Sequence, residues 1–210
     1  MARIALLAGL ALALAGSVAY AGDGVCKALV RGPAGDHVRV ALTVAHGAVV
    51  AGDVVWSPVL TSAPGADASL FQQLDIRYMH AAAADRLGEP GEVGLTVTRQ
   101  AGSINDLASA SAQLVADDGD SWRGTTPGRF GALVRITFAV HVPEQHVNVH
   151  PDLLGRIETL AALTLHLRSA AGQEISSAHA DLTAHAGRDE LVRKAWAQAD
   201  ARAASPEPCA

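Results

Sequence analysis

His141, His146 and His150 form the densest group of histidines in the chain. In an extended segment, His146 and His150 point to the same face of the backbone, with Asn148 between them. Neutral imidazoles are common ligands of copper and zinc, so this segment and one neighbour could hold either metal. The alternative is ordinary surface or core histidines, because the spacing matches no established metal motif. Pro143 also makes the position of His141 unpredictable.

A second group of histidines falls on a predicted β-hairpin late in the chain. Leucines and small residues alternate there with polar residues on both sides of a turn. A four-residue loop places Thr164 opposite His179, and His166 opposite Ser177. His166 and His179 are then diagonal neighbours, about 7–8 Å apart, and Asp181 could act as a third ligand or hydrogen-bond partner. The alternative is that these residues form the solvent-exposed face of a sheet, which needs polar residues of some kind.

Other chemistry has weaker support in the sequence. The run from Asp117 to Ser121 contains three carboxylates, as calcium loops do, but a hairpin turn explains its Asp and Gly residues equally well. The chain contains no Gly-x-Ser-x-Gly motif and no glycine-rich phosphate loop before a helix. We therefore expect no catalytic residues and no cofactor, with copper or zinc as the alternative.

The first 21 residues have the layout of a secretory signal peptide. Arg3 is followed by an apolar run, and Ala19-Tyr20-Ala21 is a typical cleavage signal. The alternative is an uncleaved membrane anchor, but the apolar run is shorter than the roughly 20 residues that a spanning helix needs. We therefore predict that the protein is exported, to the periplasm or out of the cell.

Cys26 and Cys209 are the two cysteines of the chain. In an oxidising compartment such a pair is most simply a disulfide, and the long separation is no obstacle because domain termini often lie close together. The alternative, a lipid-modified Cys26, fits less well because no apolar run ends near this residue. The sequence therefore predicts a Cys26–Cys209 disulfide.

The composition argues against nucleic acids, anionic membranes and stacked sugars as partners. With 16 basic and 21 acidic residues, the chain has a formal net charge of −5 and lacks the basic character of proteins that bind nucleic acid or anionic membranes. Aromatic residues make up 4 % of the chain, so a platform for stacking sugars or bases is not indicated. No apolar segment after residue 21 is long enough to span a membrane, and we expect a mature chain that is soluble once exported.

Alternation of apolar and polar residues dominates from residue 38 onward. The clearest predicted strands are residues 38–44, 93–98 and 134–142, where Ile136, Phe138 and Val140 are expected to share one face. Residues 74–79 also predict a strand, although the alanines after them favour a helix. Short turns rich in Gly, Pro and Asp separate the strands, so the fold class is all-β: an antiparallel β-sandwich, immunoglobulin-like or similar.

The predicted organisation is a signal peptide at 1–21, a β-sandwich domain at 22–186, and a C-terminal helix and tail at 187–210. An apolar stripe through Leu191, Ala195 and Ala199 predicts that the helix packs on the sandwich. We expect an exported, non-catalytic module for protein interaction, assembly or surface recognition, with an unidentified protein partner bound by strand addition. The alternatives are a copper- or zinc-binding periplasmic protein and a hydrolase without a recognisable motif.

Overall fold

A computed structural model describes residues 23–66, 70–98, 111–130, 133–169, 171–183, 185–205 and residue 209. The predicted signal peptide, residues 1–21, lies outside the described residues. The strands are β1 (Gly24–Arg31), β2 (His37–Ala45), β3 (Ala48–Ser57), β4 (Leu60–Ser62), β5 (Phe71–Ala81), β6 (Glu89–Thr98), β7 (Ser111–Ala116), β8 (Ser121–Arg123), β9 (Thr125–Phe130), β10 (Leu133–Val142), β11 (Val147–Val149), β12 (Ala162–Arg168) and β13 (Glu174–Asp181). A 3₁₀ turn (Pro143–Gln145) and two α-helices, α1 (Pro151–Arg156) and α2 (His185–Ala203), complete the described elements.

The strands form two antiparallel sheets. In the large sheet the order is β1-β2-β3-β5-β6-β10, and both β9 and β11 pair with the far side of β10. In the small sheet the order is β4-β13-β12-β7-β8. The two sheets and the C-terminal helix confirm the predicted all-β, sandwich-like architecture. The strand predicted through residues 74–79 is also confirmed, as part of β5.

One face of the large sheet, here called the inner face, lies in the hydrophobic core. In β2 every second residue is buried (Val38, Val40, Leu42 and Val44), because β-branched and leucine side chains at period two all point to one side. The tight β2–β3 turn uses His46 and Gly47, both with positive φ (53° and 73°), which is the geometry of a type I′ hairpin.

The alternation predicted for β10 is wrong at one residue. Val134, Ile136 and Phe138 are buried as expected, but a β-bulge between Thr137 and Ala139 shifts the pairing with β6. A bulge adds one residue to one strand and so reverses which face the following side chains occupy. Val140 therefore pairs with Glu92, which lies on the opposite, outer face of the sheet.

Helix α2 packs against β1 and β2. Its predicted apolar stripe is confirmed, since Leu191, Ala195 and Ala199 are all buried. The Trp196 ring lies against Gly52 of β3, within 2.7 Å of where a Cβ atom would stand, so a larger residue would push the helix away. Among the described helices, none is long and apolar enough to cross a membrane.

The predicted disulfide is confirmed. Cys26 of β1 is bonded to Cys209, with the two Cα atoms 5.0 Å apart and a sequence separation of 183 residues. Near this bond, Arg202 of α2 donates a hydrogen bond to the backbone carbonyl of Lys27. Arg202 and Cys209 are thus both attached to β1.

Candidate functional site

The histidines predicted as a first metal site do not share an extended segment. His141 is exposed on β10, opposite Asn148 of β11. His146 follows the 3₁₀ turn and His150 precedes α1. Both adopt the left-handed conformation, with φ of 55° and 45°. Only β11, between His146 and His150, is extended. The prediction that both histidines lie in one extended segment is therefore wrong.

The predicted hairpin register is confirmed at both pairs, Thr164 with His179 and His166 with Ser177. His166 Nδ1 lies 2.9 Å from a carboxylate oxygen of Glu174, and His179 is exposed. Asp181 accepts hydrogen bonds from the backbone and hydroxyl of Thr183, at 2.8 and 2.6 Å. In the described part of the chain, no three His, Cys, Asp or Glu side chains are placed to hold a metal ion together.

The acidic run from Asp117 to Ser121 forms the turn between β7 and β8, as one of its two interpretations predicted. Gly119 has a φ of 93°, which explains why glycine occupies this position. Asp118 and Asp120 both contact the Arg156 guanidinium, which also lies 5.7 Å from the centre of the Trp122 ring. These two carboxylates hold α1 against the small sheet.

A cluster that the sequence did not reveal lies on the outer face of the large sheet, around Asp75 of β5. Asp75 is only 5 % exposed, although this face contacts solvent. Its Oδ1 accepts a hydrogen bond from the Ser57 hydroxyl at 2.7 Å and one from the Gln73 amide. Its Oδ2 accepts from Arg135 Nη1 at 2.6 Å and lies 3.4 Å from Arg39 Nη2.

These contacts keep Asp75 ionised. Burial alone would raise its pKa, but hydrogen bonds from Gln73, Ser57 and Arg135 outweigh burial and hold the pKa below the usual 3.8. Burial of Arg135 would lower the pKa of its guanidinium, yet the bonds to Glu92 and Asp75 raise that pKa instead. The centre of the cluster is therefore a fixed ion pair between β5 and β10.

Half-exposed arginines flank an apolar floor beside this ion pair. The strand registers place Leu29, Arg39, Val55, Arg77 and Glu92 in one row across five strands. Adjacent strands are about 4.8 Å apart, so the backbones of Arg39 and Arg77 are about 10 Å apart, with Val55 between them. The side chains of Arg39 and Arg77 are 49 % and 40 % exposed.

Two adjoining depressions, of about 500 and 450 Å³, share Arg39, Val55 and Arg77 and form one groove across the outer face. We call it the outer-face groove; it runs from Lys27 and Arg202 at the β1 end to Arg135 at the β10 end. Five cationic side chains and three carboxylates line it. The groove is therefore locally positive on a chain whose formal net charge is −5. The eight charged residues are Lys27, Arg39, Arg77, Arg135, Arg202, Asp53, Asp75 and Glu92.

His37, at the neighbouring outer-face position of β2, is affected by this charge. The pKa of its imidazole is lowered, mainly because the side chain is partly buried. Arg39 and Arg31 lower the pKa further, whereas the carboxylates of Asp75 and Asp36 oppose them. The imidazole thus responds to the charge balance of the groove.

A second buried cluster has a structural role. Arg188 of α2 is 6 % exposed, and its Nη1 donates to Tyr78 Oη at 2.8 Å and to Glu158 Oε2 at 2.7 Å. Its guanidinium also lies 5.6 Å from the centre of the Trp56 ring. Burial raises the pKa of the Tyr78 hydroxyl, which therefore stays protonated and can donate to Glu158. This cluster fastens the start of α2 to the inner face of the large sheet.

The described sheet edges are short or covered, which does not favour strand addition. Strands β4, β8 and β11 have three residues each. Edge strand β9 contains Pro127, which cannot donate a backbone hydrogen bond, and the β1 edge is fixed to Arg202 and Cys209. Natural sheets use these same features to prevent other chains from pairing with their edges.

Comparison of the chain with protein-family models, with curated proteins and with solved structures finds no match. With no relative to indicate a function, we infer the function from the geometry of the site itself. The outer-face groove combines fixed charges, exposed guanidinium groups and an apolar floor, an arrangement suited to binding.

Proposed function

We propose that this chain is an exported, non-catalytic module that recognises another protein through the outer face of its large sheet. The outer-face groove carries the proposal, because Arg39 and Arg77 flank Val55 there with their guanidinium groups partly exposed. Arginine is enriched at the centres of protein interfaces, where its planar group both stacks on apolar surfaces and donates several hydrogen bonds.

Apolar side chains at both ends of the groove support this proposal. Leu29 on β1 is 47 % exposed and Leu133 on β10 is 40 % exposed. Both lie on the outer face and line the groove, so a partner seated there would remove them from water. Burial of apolar area is the main favourable contribution to protein association.

The ion pairs below the surface prepare the groove for binding. Arg135 is fixed between Asp75 and Glu92, at 2.6 and 2.8 Å, so its side chain is already ordered before a partner binds. Side chains that are ordered before binding reduce the entropy cost of association. The Cys26–Cys209 disulfide supports the exported location, because disulfides persist mainly in oxidising compartments.

Site-specific photo-cross-linking tests the proposal. A photo-reactive residue at Leu29 or at Leu133, in the full disulfide-bonded chain, should cross-link the same protein in the native envelope or medium. Val147 on β11 is 36 % exposed and serves as the matched control, since it is also apolar but lies outside the groove. The proposal is overturned if neither groove position gives a product, or if Val147 gives the same product equally well.

A further inference from the structure

We infer that the partner enters the outer-face groove as an extended acidic segment, whose carboxylates pair with Arg39 and Arg77. This inference rests on the proposed function, because it names the chemistry of the partner for the same groove. It is carried by hydrogen-bond donors that the protein itself leaves unfilled and by the charge that faces the groove.

The two arginines retain donors for a ligand. A guanidinium has five N–H groups in a planar fork that matches a carboxylate. Arg39 makes a long 3.4 Å contact with Asp75, whose oxygens already accept shorter bonds from Ser57 and Arg135. Arg77 Nη2 is paired with Asp53 at 2.5 Å, but Nη1 lies 3.9 Å from Glu92, beyond hydrogen-bond distance, and so keeps its N–H groups for a ligand.

The charge of the groove favours an acidic segment over a basic one. Asp53, Asp75 and Glu92 balance the charges of the three central arginines, Arg39, Arg77 and Arg135, so the excess positive charge of the groove comes from Lys27 and Arg202 at the β1 end. At the β1 end, Arg202 donates to the backbone carbonyl of Lys27 and keeps its charge available there. A locally positive groove on an acidic protein attracts carboxylates to this one surface, since the rest of the chain repels them.

The dimensions of the groove match a short extended peptide. The groove crosses six strands of the large sheet, from β1 to β10. Five strand spacings of about 4.8 Å make it about 24 Å long, and an extended chain rises about 3.3 Å per residue. About seven residues therefore fill it. Side chains two residues apart in such a segment share one face and are about 7 Å apart, which the long side chains of Arg39 and Arg77 can reach from backbones about 10 Å apart.

Fluorescence anisotropy with labelled peptides tests the inference on the full disulfide-bonded chain. The probes are a Gly/Ser peptide of about ten residues that carries glutamates, the same peptide with glutamines, and the same peptide with lysines. We expect the glutamate peptide to bind at least about tenfold more tightly than the others, because a charged hydrogen-bonded pair contributes about this much affinity. Raising the salt concentration should weaken that binding.

Two substitutions identify the residues that bind the carboxylates. Arg39→Met and Arg77→Met keep much of the apolar stem and remove the guanidinium, and each should weaken binding of the glutamate peptide about tenfold. Arg193→Met is the matched control, since Arg193 is 57 % exposed on α2, outside the groove, and its loss changes the net charge equally. Binding by this variant should stay within about twofold of the original value.

Three results would overturn the inference: equal binding of the glutamate and glutamine peptides, no binding of any peptide, or the same loss in the Arg193→Met control. Displacement of the glutamate peptide by an equal concentration of free glutarate would also overturn it, because the groove would then be a small-molecule site. If cross-links from Leu29 and Leu133 persist in any of these cases, the proposed function stands and only the acidic segment is rejected. If the cross-links are absent as well, both are rejected.

Discussion

The guanidinium of Arg135 occupies the space above Gly94 that a side chain would otherwise fill. Nη2 lies 2.5 Å from the position of an ideal Cβ atom on Gly94. From there the guanidinium reaches Asp75 on β5 through Nη1 and Glu92 on β6 through Nη2, at 2.6 and 2.8 Å. The missing side chain of one glycine thus allows one arginine to bind carboxylates from two neighbouring strands.

Gly94→Ala should therefore destabilise the protein. The added methyl group displaces the Arg135 guanidinium, and Asp75 then stays buried with fewer hydrogen bonds. We expect the free energy of unfolding to fall by about 1–3 kcal/mol, the usual cost of a buried polar group that loses its partner. Urea denaturation followed by tryptophan fluorescence measures the change.

Gly155→Ala is the matched control for this experiment. Gly155 lies in α1, and apart from its chain neighbours and the backbone of its own helix nothing lies within 4 Å of its Cβ position, so alanine there makes no clash. The control should gain about 0.5–1 kcal/mol, because glycine is unfavourable inside a helix. Equal stability of Gly94→Ala and the original protein would contradict the role assigned to Gly94.

Asp75→Asn should change how stability depends on pH. Since the pKa of Asp75 is lowered in the folded protein, its contribution to stability is complete above the unfolded pKa of about 3.9. The contribution is lost as the pH falls through the lower, folded pKa. The variant should therefore be less stable than the original protein at pH 7, and the difference should shrink steadily below about pH 4.

Urea denaturation at a series of pH values checks this prediction. Asp117→Asn removes an equal charge from an exposed position in the β7–β8 turn and should leave stability within about 0.5 kcal/mol at every pH. A stability difference for Asp75→Asn that stays constant down to pH 2 would show that the carboxylate charge is not responsible.

Features that depend on a local residue pattern, or for which the chain offers a single pairing, could be predicted from the sequence. The β12–β13 register follows from leucine alternation and a short loop, since a shift of one residue would expose every leucine. The disulfide follows from there being two cysteines in the chain. The helix stripe through Leu191, Ala195 and Ala199 follows from its period alone.

The outer-face groove depends on long-range order that no local pattern encodes. Asp75 and Arg135 are 60 residues apart and meet because β6 lies between β5 and β10 in the sheet. Alternation predicts that both point to the polar face of a strand, but it cannot indicate which strands are neighbours. Knowledge of the strand order would have been enough to find the cluster.

Local backbone geometry explains the two errors. In β10 the residues around the bulge, Phe138 to Val140, are all apolar, so the change of face leaves no trace in the hydrophobic pattern. His146 and His150 turn the chain in the left-handed conformation, which histidine adopts more often than most residues. A strand prediction that treats such residues as extended places their side chains wrongly.

Removal of the disulfide should destabilise the fold strongly. In the chain-entropy description, a link between residues 183 positions apart stabilises the folded state by about 5 kcal/mol as an upper figure. Cys26→Ala combined with Cys209→Ala should therefore lower the free energy of unfolding by about 3–5 kcal/mol, measured by urea denaturation. Reduction of the original protein with dithiothreitol should give a matching loss, and unchanged stability in both would contradict the prediction.

Binding of an acidic segment should become tighter as the pH falls. Partial burial and then Arg39 and Arg31 lower the pKa of His37, so a bound carboxylate that offsets these cations should raise it. A ligand that raises a pKa takes up protons on binding, and its affinity therefore increases as the pH falls through that pKa. The glutamates of the peptide stay ionised above about pH 5.5, so we assign to His37 a gain in affinity there as the pH falls below the usual histidine value of 6.5.

NMR titration of the His37 imidazole, with the glutamate peptide and then with the glutamine peptide, measures this coupling directly. The glutamate peptide should raise the pKa of His37, and the glutamine peptide should leave it unchanged. His37→Gln should make the affinity for the glutamate peptide independent of pH, whereas His179→Gln, an exposed residue of the small sheet, should keep the dependence. An affinity that rises equally in the His37→Gln variant would place the responding group elsewhere, because this variant removes only the imidazole beside Arg39.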